Sequence, residues 1–215
     1  MPGGRCAERD RPHVGAMQLS FLDARVAVVD DPSARIEYWP SVVDADTATA
    51  WFDALLESVP WRADRRRMYD REVAVPRLRG HYVLSGDDDM PATIRDALAA
   101  VNRIAPAPYT GVGLNLYRDG RDSVAMHHDR LAELVPGHPI AVLSLGVPRR
   151  MTIATKVPRT TRTIELQPGS VIVMDYASQL HTLHGIPKTT APVGARISLA
   201  FRVRPPKPAS GTAAR

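Results

Sequence analysis

Cysteine is nearly absent, with Cys6 the only one in 215 residues. A lone thiol excludes an intrachain disulfide, and a reducing cytosol is the expected compartment. No stretch approaches the roughly 20 consecutive apolar residues of a membrane span. Met1 to Gly15 lacks the apolar segment of a signal peptide, so a cytoplasmic chain without a membrane partner is expected. No internal repeat is visible, which excludes a solenoid. What is present, 44% hydrophobic and 24% charged residues, suits one well-buried domain and is short for two. Residues 1–16 and 205–215 carry Gly, Pro, Ala and Arg without apolar period and read as a disordered leader and tail. A single domain over 17–204, acting as a monomer, is expected between them.

The net charge is +5 and the isoelectric point about 9.7, which is compatible with a polyanionic partner such as nucleic acid. Arg62, Arg65, Arg66, Arg67 and Arg71 crowd one segment, relieved by Asp64 and Asp70. Arg149, Arg150, Lys156, Arg159 and Arg162 form a second run with no acid among them. Charge blocks of this kind read first as solvated loops.

The N-terminal half carries helix signals. Asp44 or Asp46 is placed to cap a helix through Trp51, Leu55 and Leu56 to a stop at Pro60, and a second helix is expected from Pro91 to Ile104. Phe21 to Tyr38 reads as short strands broken at Asp30-Asp31-Pro32. From Gly111 the pattern changes to short alternating segments: 112–117, 123–129, 139–145, 149–154, 162–166, 170–174, 180–184 and 195–203. Turn signals such as Arg118-Asp119-Gly120 and Gln167-Pro168-Gly169 separate them. The expected fold is mainly β (α+β), a jelly roll or double-stranded β-helix over about 111–204 with the helices packed outside.

Chemistry concentrates in the β half. If 123–129 is a strand, His127 and Asp129 project to one face and His128 to the other. Two imidazoles and a carboxylate suit a divalent iron held from one side and open on the other. His184 and His181 compete to supply the second imidazole. On Arg196-Ile-Ser-Leu-Ala-Phe-Arg202 the same rule puts Arg196, Ser198, Ala200 and Arg202 on one face and Ile197, Leu199, Phe201 and Val203 on the other. Small residues between two guanidiniums leave a cationic slot whose planar forks meet carboxylates bidentately. Asn115 and Tyr117 share a face as well, opposite Leu114 and Leu116.

These residues sit in a longer order of motifs: Val75-Pro-Arg-Leu78, Leu114-Asn-Leu-Tyr-Arg-Asp-Gly120, His127-His-Asp129, Pro139-Ile-Ala-Val-Leu-Ser-Leu-Gly146, Pro168-Gly-Ser170, His184-Gly-Ile-Pro187 and Arg196-Ile-Ser-Leu-Ala-Phe-Arg202. From about residue 75 to 204 the chain resembles the AlkB-type iron(II)- and 2-oxoglutarate-dependent dioxygenases. The resemblance implies Fe(II) bound by His127, Asp129 and His184, with His184 chosen over His181. It implies 2-oxoglutarate and O2 as co-substrates, the former held by Asn115, Tyr117, Arg196 and Arg202. The implied reaction removes N-alkyl groups from nucleic acid bases, giving succinate, CO2 and an aldehyde, with no separate general acid or base. It also implies substrate contacts at Tyr82 and Arg77, a wall formed by the His127 ring, and a nucleotide-recognition lid carrying Arg65, Arg66 and Arg67. The chain departs from the pattern at Leu131, where an acid is common, at the short acidic segment Val83 to Met90, and at Ser198, where Asn is common. An oxygenase of the same fold acting on a small metabolite or protein side chain is the alternative.

Overall fold

The computed structural model describes residues 25–68, 71–84 and 89–206. The expected leader, most of the expected tail, Cys6 and positions 21–24 of the first expected strand lie outside them. Among the described residues, twelve strands form two sheets: an eight-stranded sheet in the order β1-β2-β10-β7-β12-β5-β4-β3, and a four-stranded sheet in the order β6-β11-β8-β9. The strands are β1 (Val26–Asp31), β2 (Ala34–Trp39), β3 (Arg62–Met68), β4 (Arg71–Val83), β5 (Gly111–Tyr117), β6 (Val124–His127), β7 (Ile140–Gly146), β8 (Arg149–Thr155), β9 (Thr161–Leu166), β10 (Val171–Met174), β11 (Thr182–Ile186) and β12 (Arg196–Arg202). Strands β5 to β12 divide between the sheets as in a jelly roll, with β5, β7, β10 and β12 in the larger and β6, β8, β9 and β11 in the smaller. The hairpins β1-β2 and β3-β4 extend the larger sheet at either edge.

Helix α1 (Ala45–Ser58) begins where Asp44 accepts the Thr47 N–H at 2.8 Å, which satisfies one of the free donors of its first turn. It ends before Pro60. Helix α2 (Ala92–Asn102) follows Pro91. Both helices lie on the outer face of the larger sheet, against β7. There Leu55, Ile94, Ala97 and Val101 bury themselves against Val112, Leu114, Leu143, Ile197, Leu199 and Phe201, each large side chain contributing about 1.5–3 kcal/mol relative to exposure. A second apolar cluster fills part of the space between the sheets, with Ile36, Ile140, Ile153, Leu166, Ile172 and Met174 at its centre.

Strand β12 divides the molecule. Its odd residues, Ile197, Leu199 and Phe201, enter the helix-side core, which leaves its even residues facing the space between the sheets. Direct register carries this face across the sheet: Arg196 lies opposite Tyr117 and Gly146, Ser198 opposite Asn115 and Ser144, and Ala200 opposite Gly113 and Val142.

Two expectations need correction. The arginine-rich segment 62–71 folds mostly into the edge hairpin β3-β4, because long charged side chains suit an edge strand with both faces near solvent. The pairing jumps from Ala63–Leu78 to Arg65–Ala74, so Pro76 sits in an irregular stretch where its missing N–H breaks no ladder bond. The second basic run lies on the hairpin β8-β9, where strands were expected over 149–154 and 162–166, with Lys156 and Arg159 in the turn between them. Finally, the strand expected over 180–184 begins as a short helix, α3 (Ser178–His181), and the extended chain starts at Thr182.

Candidate metal centre and anion pocket

Strands β6 and β11 are antiparallel neighbours, with His127 directly opposite His184. Facing pairs share a face of the sheet, and the two rings lie 4.5 Å apart between centroids, tilted by 54°. Strand β6 ends at His127, two residues earlier than expected. Asp129 therefore reaches the site from a loop, yet ligand atoms of His127, Asp129 and His184 all lie within 4.8 Å of one another. His181, the rival imidazole, is exposed on α3. His128 is exposed and directs Nδ1 to the Asp129 carbonyl at 2.8 Å.

The surroundings prepare these side chains for a cation. The His127 Nδ1 lies 2.9 Å from the Ala125 carbonyl. A carbonyl only accepts, so Nδ1 carries the proton and Nε2 presents its lone pair. Burial, and after it the neighbouring His127, pushes the His184 pKa down to about 4, which keeps that ring neutral and fit to ligate at physiological pH. Burial alone would raise the Asp129 pKa. The charge and hydrogen bonds of Arg202, with help from His184 and His127, outweigh it and hold the carboxyl below its usual range. Arg202 forks onto Asp129 with Nε to Oδ2 at 2.8 Å and Nη2 to Oδ1 at 3.1 Å.

Arg196 occupies the other end of the same strand face, about 20 Å from Arg202 between Cα atoms at roughly 3.3 Å per residue. It is 1% exposed. Its Nη2 donates to Ser144 Oγ at 2.8 Å, while Nε and Nη1 have no hydrogen-bond partner among the described residues. No carboxylate among the described residues pairs with it. Its guanidinium carbon stands 5.2 Å from the centre of the Tyr117 ring, and that of Arg149 stands 5.7 Å from the same ring. Arginine does not lose its charge inside a protein, so this is a buried cation lacking an internal anion. His184 Nδ1 is buried and unpartnered in the same way. Unsatisfied buried polar atoms are rare and costly. Their occurrence in one inter-sheet space fits groups whose partners, a metal and an organic anion, come from outside the chain.

Residues 35–202 match the family model of the 2OG-Fe(II) oxygenase superfamily. Human DNA oxidative demethylase ALKBH2 is 29% identical over 110 residues, covering 47% of this chain and 42% of that protein. Human alpha-ketoglutarate-dependent dioxygenase alkB homolog 3 is 25% identical over 194 residues, covering 81% and 68% respectively. The chain is an AlkB-type member of this superfamily. A solved structure of OsALKBH1 shares the fold at TM-score 0.55 and 13% identity, over 83% of this chain and 100% of that one. The matched region spans less than half the length of ALKBH2.

Within this AlkB-type frame, the other residues singled out in the sequence fall into place unevenly. Asn115 sits on the site face, with Oδ1 accepting from Arg77 Nε at 2.7 Å and Nδ2 donating to Ser198 Oγ at 3.4 Å. Arg77 thus braces Asn115 on the pocket face. Tyr82 is a correction: β4 pairs it with Val112, so it faces the helices and packs in their core, on the side of the sheet away from Asn115. Arg65 stands on β3 beside Glu72 at 3.5 Å. Arg66 and Arg67 lie on the same strand, with side chains outside the described set. Part of the acidic segment, residues 85–88, also lies outside it.

Two residues escaped sequence reasoning. Arg149, assigned to a charge run, is 3% exposed and donates to the carbonyls of Asp119, Asp122 and Pro187 at 2.8–3.0 Å, pinning the loops that flank the pocket. Gln179, in no motif, is fully buried and bonds to Asp129.

Proposed function

We propose that this chain is an iron(II)- and 2-oxoglutarate-dependent dioxygenase that oxidatively removes N-alkyl groups from nucleic acid bases, releasing succinate, CO2 and an aldehyde. The observation that carries the reading is the buried Arg196 guanidinium, two of whose nitrogens lack partners among the described residues, on the same strand face as the arginine that binds a metal-ligand carboxylate. That arrangement suits a small dicarboxylate with one end at the metal and the other at Arg196.

His127, Asp129 and His184 would hold the iron. The bound iron would supply oxygen activation coupled to decarboxylation of 2-oxoglutarate, chemistry that no side chain provides. The chain's own residues bind and orient. Arg196 takes the distal carboxylate, with Tyr117 lying against its guanidinium. Asn115, braced by Arg77, and Arg202 complete the co-substrate's surroundings. Arg202 also keeps Asp129 ionised. The apolar cluster beside Tyr117 keeps water from the buried end of the slot.

The nucleic acid substrate is supported by the names of relatives, ALKBH2 being a DNA oxidative demethylase, and by the charge of the chain. Arg62, Arg65, Arg66 and Arg67 share the edge strand β3. On the hairpin β8-β9, Arg150, Arg159 and Arg162 are exposed. Such cations grip phosphates while the reacting base enters a pocket. Anaerobic reconstitution with Fe(II) and 2-oxoglutarate, followed by oxygen and oligonucleotides carrying 1-methyladenine or 3-methylcytosine, tests the proposal. Succinate with base repair is expected. Succinate without repair of either base would move the substrate to a small metabolite or protein side chain, and no succinate would end the reading.

A further inference from the structure

Asp129 is the one member of the metal cluster without a strand to hold it, since β6 stops at His127. Its backbone is tied instead to a side chain. The Asp129 N–H donates to Gln179 Oε1 at 2.9 Å. Gln179 is 0% exposed, and its own amide is fixed in turn, with Nε2 donating to Ser178 Oγ at 3.2 Å and lying 3.9 Å from Met174 Sδ. The turn that carries it is fastened as well. Ser178 N donates to Asp175 Oδ1 at 2.7 Å, Ser178 Oγ to the Asp175 carbonyl at 2.7 Å, and Thr182 Oγ1 to the Ser178 carbonyl at 2.8 Å. Thr182 opens β11, the strand of His184.

We propose that Gln179 is a positioning residue for the metal site, setting the backbone at Asp129 so that its carboxylate meets the two imidazoles. The inference rests on the iron-site reading of His127, Asp129 and His184. Arg202 orients the carboxylate from one side, and Gln179 orients the chain that bears it from the other. Together they replace the ladder bonds that a longer β6 would have supplied. Because Gln179 and His184 stand on one continuous segment, the amide bond also fixes the spacing between the loop ligand and the strand ligand. Supporting bonds of this kind raise metal affinity without touching the metal.

The test is Mn(II) binding to the full chain, read from the loss of the free-ion electron paramagnetic resonance signal, together with amide exchange of the segment containing Asp129. Gln179→Met removes the acceptor at similar length and should weaken Mn(II) binding about 10–100-fold while the metal-free protein still melts cooperatively. Gln179→Glu keeps an acceptor oxygen at the same reach and should restore most of the affinity. In the wild-type protein the Asp129 amide should exchange slowly although it lies outside β6, a readout that does not depend on how any variant folds. A folded Gln179→Met protein that binds Mn(II) as wild type does, or a rapidly exchanging Asp129 amide, would overturn the proposal. Failure of the wild-type protein to bind Mn(II) at all would instead bring down the iron-site reading on which it rests.

Discussion

Replacing Arg196 with methionine should separate stability from function, and in opposite directions. In the metal-free chain the guanidinium is desolvated, with two unpartnered nitrogens and no carboxylate among the described residues. Leaving such a group buried costs about 1–3 kcal/mol for each unmade charged bond. Methionine has similar length and no polar group, and it forfeits the Ser144 bond, worth about 1 kcal/mol. The net expectation is a gain of about 1 kcal/mol or more, and so a rise of at least roughly 2–4 °C in melting temperature for a domain of this size. Binding of 2-oxoglutarate should move the other way. Losing one partner of a buried, hydrogen-bonded charge pair costs about 2–5 kcal/mol, a fall of roughly 30- to several-thousand-fold in affinity at 1.4 kcal/mol per decade. Thermal melts with Mn(II), with and without 2-oxoglutarate, read both effects. Wild type should melt higher with the diacid; Arg196→Met should melt higher without it and gain nothing from it. A variant that melts below wild type in the absence of 2-oxoglutarate, or that keeps the ligand-induced rise, would refute the idea that Arg196 is held ready for an outside anion.

Three further outcomes are expected. Asp129→Ala and His127→Ala should each abolish succinate formation, and Asp129→Ala should also lower the metal-free melting temperature, because it leaves Arg202 without its carboxylate partner, at a cost of about 3–5 kcal/mol if the cation stays buried. Asp122 accepts three bonds from Arg118; burial opposes ionisation but Arg118 prevails and lowers its pKa. A folded pKa below the unfolded one stabilises above the usual aspartate range and is lost as pH falls through the folded value, so the melting gap between wild type and Asp122→Asn should be full at pH 7 and shrink below about pH 4. A gap that widens in acid would reverse the sign. Removing the charges of Arg65, Arg66 and Arg67 together should spare uncoupled succinate formation but weaken oligonucleotide binding, reducing the salt slope by about 0.9 for each phosphate no longer neutralised; an unchanged slope would place the nucleic acid elsewhere.

The parts of this molecule that can be read from the chain are those where one period governs. Strand β12 alternates arginine or small residues with Ile, Leu, Phe and Val, and the same alternation separates the pocket from the helix-side core. Helix α1 announces itself by its Asp44 cap. Strands β3 and β4 do not, because an edge hairpin of arginines has no single apolar face to reveal its period. Leu180 to His184 alternates like a strand, yet Asp175 and Ser178 wind its start into α3 through bonds to nearby backbone, a local competition that alternation does not register. The fault at Tyr82 is one of parity. Its neighbours Arg77 and Asn115 do meet, but Tyr82 stands on the opposite face, and only the register with β5 reveals it. Arg149 and Gln179 are invisible for a different reason. Their partners, the carbonyls of Asp119, Asp122 and Pro187 and the amide of Asp129, are backbone groups, which every residue carries and no motif marks.

The space between the sheets is divided between two incompatible demands, and Tyr117 stands at the division. Toward β2 and β10 the space is filled by Ile36, Ile172 and Met174, a dry core that stabilises by excluding water. Toward β5, β6 and β12 it holds Arg196, Ser198, Asn115 and the candidate metal cluster, groups whose desolvation costs stability. Tyr117 belongs to the apolar cluster by its contacts and to the polar half by the two guanidiniums near its ring. An aromatic ring can serve both, since its edge and body pack as hydrocarbon while its face attracts a cation. Arg149 then has a purpose at this boundary beyond charge. By holding the Asp119–Asp122 turn and Pro187 together it fixes the ends of β5 and β11, the strands that carry Tyr117 and His184. Arg196 and the cluster of His127, Asp129 and His184 are therefore braced by one buried arginine, Arg149, so the separation between them is set by the fold itself.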